Sequence, residues 1–108
     1  MQYIVLVTPQ AERDLEDIKD YIALHDDPAK AQHVVDRLEL AISKLSKSPE
    51  RGARVRELQV LGIAEFREVF FKPYRIIYKL VRNEVHIALI ADGRRDMQSL
   101  LQRRLFNL

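Results

Sequence analysis

The chain has 108 residues, 47% of them apolar and 31% charged, a balance that suits one α+β domain spanning residues 1–108 with no room for a second. It has no cysteine, which excludes disulfides, thiolate zinc sites and cysteine nucleophiles and makes the cytoplasm the expected compartment. The net charge of +2 hides an asymmetry: residues 1–50 carry six Lys and Arg against ten Asp and Glu, and residues 51–108 carry twelve against six. Ten of those twelve are arginines, so the second half is suited to acidic or anionic partners.

The opening run Tyr3-Ile4-Val5-Leu6-Val7 is β-branched and aromatic and reads as a strand. Thr8-Pro9 stops it before a membrane-spanning length accumulates, and no export signal is read there. The same pair supplies an N-cap and an N1 proline, so a helix is expected from there to about His25, with Leu15, Ile18 and Ile22 on one face. Asp27-Pro28 repeats the signal. Ala31, Val34, Val35, Leu38, Ala41, Ile42 and Leu45 then form an apolar stripe that ends before Ser48-Pro49, which predicts a helical hairpin.

A connector from Pro49 to Gly62 has no legible path. Three strands are expected after it, at Glu65–Phe71, Tyr74–Val81 and Val85–Ala91, and their short links require antiparallel neighbours. Alternation puts Tyr74, Ile76, Tyr78 and Leu80 on one face, and Arg75, Ile77, Lys79 and Val81 on the other. The hairpin is expected to pack on Val5, Ile76, Tyr78, Ile87 and Leu89, leaving Arg75 and Lys79 exposed on the opposite face. Asp92-Gly93 ends the last strand, and Met97, Leu100, Leu101 and Leu105 mark a short C-terminal helix with Asp96 near its start.

His25, His33 and His86 fall in separate elements without metal-ligand spacing, the serines lack a nucleophile elbow, and the glycines form no phosphate-cradling motif. No metal or cofactor is expected. The acidic residues of the first helix spread over several faces and read as solvated surface. Arginine remains: Arg67, Arg75, Arg94, Arg95, Arg103 and Arg104 lie on the sheet or just after its last strand, and guanidinium forks grip phosphates and carboxylates. Arg94 and Arg95 stand where a strand ends and a loop turns, a common position for binding residues.

Glu65-Phe66-Arg67-Glu68 leading into Tyr74-Arg75-Ile76-Ile77-Tyr78, together with Ile90-Ala91-Asp92-Gly93-Arg94-Arg95-Asp96, resembles the RelE/ParE toxin superfamily over nearly the whole chain. The resemblance implies an N-terminal strand, a helical hairpin on an antiparallel sheet and a variable C-terminal segment. It also implies the toxin of a bacterial type II toxin–antitoxin pair, of the growth-inhibiting, plasmid-stabilising kind. A cognate antitoxin, ParD-like or another small protein, would lie along the sheet and hairpin over Arg67, Arg75, Tyr78 and Lys79. Promoter DNA would be met only through that antitoxin.

Two activities occur in the superfamily. RelE-like members cut messenger RNA in the ribosome, using strand lysines, two arginines and a C-terminal tyrosine. Here Arg75 and Arg95 match the arginines and Arg67 is the nearest further cation. The lysine region reads Phe66-Arg67-Glu68-Val69, Leu101 stands at the tyrosine position, and the chain ends Arg104-Leu105-Phe106-Asn107-Leu108 without a His-Tyr pair. Arginine is too basic to exchange protons near neutral pH, so no general acid or base remains. ParE-like members poison DNA gyrase by binding, which tolerates these substitutions. The closer likeness is therefore to ParE, with Arg94, Arg95, Gln98, Leu101, Arg103 and Arg104 as target contacts. A ribosome-dependent RNase and a degenerate toxin kept only for antitoxin binding are the alternatives.

Overall fold

The computed structural model describes residues 2–106. Strand β1 (Ile4–Val7) leads into helix α1 (Pro9–His25), whose first turn is closed by Thr8: its hydroxyl accepts from the Ala11 N–H at 3.2 Å. Asp27 caps α2 (Pro28–Ser43) likewise, accepting from the Ala29 N–H at 3.0 Å. A 3-10 turn, Lys44–Ser46, ends the hairpin. The connector resolves into a two-residue strand β2 (Ala53–Arg54) and a one-turn helix α3 (Arg56–Gln59), both too short for a periodic signal. Strands β3 (Phe66–Phe71), β4 (Tyr74–Val81) and β5 (Glu84–Asp92) and helix α4 (Met97–Phe106) complete the chain.

The sheet runs β1-β5-β4-β3-β2. The pairs β3–β4 and β4–β5 are antiparallel, as their short links require, and β2–β3 is antiparallel across the α3 connector, whereas β1 lies parallel to β5, so the sheet is mixed. The hairpin between them acts as the crossover that a parallel pair needs.

Each face of the sheet carries an apolar cluster. Leu15, Ile22, Val34, Leu38, Ile42 and Leu45 of the hairpin region pack on Ile76, Tyr78, Val85, Ile87 and Ile90, with Val5 at the margin. On the reverse face Met97, Leu100 and Leu101 of α4 meet Ile77, Leu89, Ala91, Phe66, Val55 and Leu58. The expected hairpin face is therefore correct at Val5, Ile76, Tyr78 and Ile87, but Leu89 belongs to the other side. A β-bulge is the cause: Ile77 opposes Leu89 while Tyr78 opposes Ile87, so Ala88 is skipped and the alternation reverses.

The reverse face is also not the open arginine surface expected from alternation. Helix α4 and the α3 connector cover it, and the Arg75 side chain retains only 11% exposure. Leu38 is fully buried at the centre of the hairpin cluster. Leu38→Ala should cost about 3 kcal/mol of unfolding free energy, read as a lower denaturant midpoint at unchanged slope.

Candidate functional site

The residues singled out by sequence fall into three groups by what their side chains already hold. The first is committed to the protein itself. The Arg75 fork donates from Nη1 and Nη2 to the two Glu57 oxygens at 2.8 and 2.7 Å, and from Nε to Glu68 Oε1 at 2.6 Å. Glu68 is the buried charged residue of the sheet, at 7% exposure, and this pairing is what makes its burial tolerable. Arg67 donates to the Gly52 and Glu50 carbonyls at 2.9 and 3.2 Å and so braces the connector. Tyr78 is fully buried; its hydroxyl donates to the Pro49 carbonyl at 2.7 Å and accepts from the Gly52 N–H at 3.1 Å. Burial pushes its phenol above the usual range. Leu101, on α4, is fully buried against the sheet. Tyr78 and Leu101 are thus packing residues with no exposed surface for a partner.

Arg104 belongs with them. Its guanidinium meets both Asp14 oxygens, at 2.8 and 3.1 Å, and Nη2 donates to the Ala88 carbonyl at 3.2 Å. Asp14 Oδ2 in turn accepts from the Ile90 N–H at 3.0 Å. Strand β1 pairs with β5 only as far as Ile87, so these β5 groups lie past its end. A parallel neighbour would donate to the carbonyl of one residue and accept from the N–H two residues on. The Asp14–Arg104 pair does both, so two side chains replace the missing continuation of β1 and tie α4 to α1.

The second group is the loop between β5 and α4. Asp92 Oδ1 accepts from the Arg94 N–H at 2.9 Å, the Asp92 carbonyl accepts from the Arg95 N–H at 3.1 Å, and the Asp92 carboxylate forks onto the Arg94 guanidinium at 2.6 Å. The Arg94 side chain still projects outward, 78% exposed. Arg95 is exposed, and among the described residues its side chain makes no hydrogen bond or ion pair. Asp96 caps α4, accepting from the Ser99 N–H at 3.2 Å and hydroxyl at 2.8 Å. Arg94 and Arg95 stand at one wall of a cleft of about 400 Å³ whose other lining includes Asp17, Tyr21, Tyr74 and Asp92.

The third group is peripheral. Exposed Arg103 and partly buried Gln98 lie on α4, and partly exposed Lys79 sits 5.6 Å over the Phe66 ring with Glu65 3.9 Å away. Arg94, Arg95, Gln98 and Arg103 therefore share the loop and the helix that follows it, whereas Arg67 and Lys79 lie on β3 and β4 and the Arg75 guanidinium is turned to Glu57 and Glu68. Sequence reading missed Glu57, Glu68, Asp14 and Gly93, the residues that hold this arrangement. Only the Gly93 of Asp92-Gly93 carried a local signal; the carboxylates find their arginines across 7 to 90 positions of chain.

The charge states are set by these partners. The Arg75 fork holds the Glu57 carboxyl below its ordinary 4.5, and Arg94 holds that of Asp92 below its ordinary 3.8. Burial raises the Tyr74 phenol, which stays protonated at neutral pH. Both carboxylates bind protons less readily folded than unfolded, so their contribution is present above pH 4.5 and lost as pH falls through the lowered values. Denaturation monitored from pH 6 to pH 3 should show that loss, and Glu57→Gln should shrink it. Asp14→Ala should cost about 2 kcal/mol, because it strands a half-buried guanidinium, and should speed hydrogen exchange at the Ile90 N–H selectively.

No helix among the described residues is long and apolar enough to cross a membrane. Residues 5–97 match the profile of the ParE toxin of the type II toxin–antitoxin system parDE. No curated protein sequence matches. Among solved structures, the chain is similar to one from the chromosomal ParDE toxin–antitoxin system of P. aeruginosa. That superposition has a TM-score of 0.71 at 19% identity, over 84% of this chain and 96% of that one. It is similar also to a chain of the RelBE2 toxin–antitoxin complex from Mycobacterium tuberculosis, with a TM-score of 0.58 at 26% identity over 85% and 99%. A mutant of the E. coli toxin RelE in the free state gives 0.59 at 12% identity over 93% of each chain. With the profile covering most of its length and the same fold in these relatives, the chain belongs to the ParE toxin family of type II toxin–antitoxin systems.

Proposed function

We propose that this toxin acts by binding DNA gyrase and does not itself cut nucleic acid. The observation that carries this reading is the state of Arg75: all three contacts of its fork go to carboxylates, Glu57 and Glu68. A phosphorane developing beside Arg75 would meet two negative charges together with one positive, so electrostatic stabilisation there is cancelled. Arg95 alone of the two matched arginines remains available. Of the titrating groups in the same cleft, Asp92 is held ionised by Arg94 and Tyr74 is held protonated by burial, so neither is tuned to exchange protons near neutral pH.

Binding asks less of the site. Arg94 and Arg95 on a loop whose backbone is capped and internally bonded, with Arg103 and Gln98 on the adjoining helix, present polar and cationic side chains from an already ordered backbone. An antitoxin would neutralise the toxin by covering this surface or Lys79 on the sheet face, since Arg67, Arg75 and Tyr78 are already occupied. Promoter DNA enters this scheme only through the antitoxin, and the pair would work in the cytoplasm.

Antitoxin-free protein should abolish supercoiling by purified gyrase and accumulate cleaved DNA, and Arg95→Ala should raise the half-inhibiting concentration at least about tenfold. Full supercoiling at a large toxin excess, with cuts mapped instead on translated messenger RNA, would establish the RNase reading.

A further inference from the structure

We infer that Arg75 is a positioning residue for the Arg94–Arg95 loop and acts through contact between its side-chain stem and Gly93. The consequence for inhibition rests on the proposed role of Arg95, whereas the positioning itself concerns only this chain.

A Cβ built on Gly93 would lie 2.8 Å from Arg75 Cδ, 3.0 Å from its Cγ and 3.2 Å from the Pro73 carbonyl oxygen. Gly93 does not take a left-handed φ, so the position needs glycine for space and not for backbone freedom. The loop backbone therefore rests directly on the Arg75 stem. It is held down by the Gly93 N–H, which donates to the Pro73 carbonyl at 2.8 Å.

That stem is a firm floor because its far end is fixed. Glu57 and Glu68 accept from three guanidinium nitrogens at 2.6 to 2.8 Å, which removes the rotamer freedom an arginine normally has. The residues on either side of Gly93 carry the constraint outward. Asp92 bonds the backbone of Arg94 and Arg95, and Asp96 starts α4 immediately afterwards. Glu57 and Glu68 thus set Arg75, Arg75 sets Gly93, and Gly93 sets where Arg94 and Arg95 point.

Two variants disturb this contact from opposite sides. Arg75→Met keeps a long stem and removes the fork, and Gly93→Ala inserts a methyl against the stem while keeping all three members of the ion cluster. In each, the backbone amide resonances of Arg95 and Asp96 should shift, and the N–H of residue 93 should exchange faster than it does in the parent while that of core Ile76 is unchanged. The half-inhibiting concentration against gyrase should rise about tenfold, within the coupling expected of touching groups. The Arg75→Met, Arg95→Ala double variant should inhibit no worse than Arg95→Ala alone. If Arg75→Met does not fold, Gly93→Ala decides alone, by its loop amides and by the same non-additivity with Arg95→Ala.

Loop amides that stay in place in every folded variant, or losses at positions 75 or 93 and 95 that simply add, would overturn the inference. Should Arg95→Ala inhibit gyrase as well as the parent, the target reading fails, and the amide shifts still decide the positioning.

Discussion

Strand β4 is buried on both faces, with Ile76 and Tyr78 against the hairpin cluster and Ile77 against the α4 cluster. The middle of the strand has no solvent side onto which a charge can be turned, yet Arg75 stands immediately before these apolar residues with its side chain only 11% exposed. Desolvating a guanidinium without a partner is far too costly, so its neutralisation in place constrains everything near it. Glu68 comes from the adjacent strand and Glu57 from a one-turn helix. Helix α3 carries Leu58 into the apolar cluster and Glu57 to the ion cluster, so one helical turn closes both.

The functional character of the surface follows from the same constraint. A cation enclosed by two carboxylates presents almost no field to a phosphate outside, while the arginines beyond the end of β5 lie where water and partners reach them. The chain has twelve basic residues in its second half, but their reach is decided by what they touch. Arg67, Arg75 and Arg104 are spent on carbonyls and carboxylates, and Arg95 and Arg103 extend into solvent. Composition counts these groups as equals; geometry does not.

Much of this was legible in order of locality. Thr8-Pro9 and Asp27-Pro28 act within one helical turn, so both caps could be read directly, and the stripe from Ala31 to Leu45 gave the hairpin. Strands β3, β4 and β5 were readable from alternation and short links. The skipped Ala88 was not, because a bulge leaves period-2 sequence looking regular while inverting one side of it. The parallel placement of β1 depends on a crossover that no residue near β1 encodes. At the site, the turn at Asp92-Gly93 was visible and the exposed arginines with it. That Arg75 and Arg104 are internal struts was not, since their partners at Glu57, Glu68 and Asp14 declare themselves only after folding.

The Asp14–Arg104 pair bears on how the chain behaves among its own copies. An open strand edge offers a template on which any extended segment can polymerise, and sheets ordinarily protect themselves with charges, bulges or a covering element. Beyond Ile87, strand β5 has the first two: a bulge at Ala88, and charges in the form of a carboxylate on its N–H and a guanidinium on its carbonyl. Such a plug satisfies the backbone while repelling a greasy intruder, because displacing it would expose two bare ions. The last stretch of β5 thus leaves another copy of the chain no free backbone to pair with at these two groups.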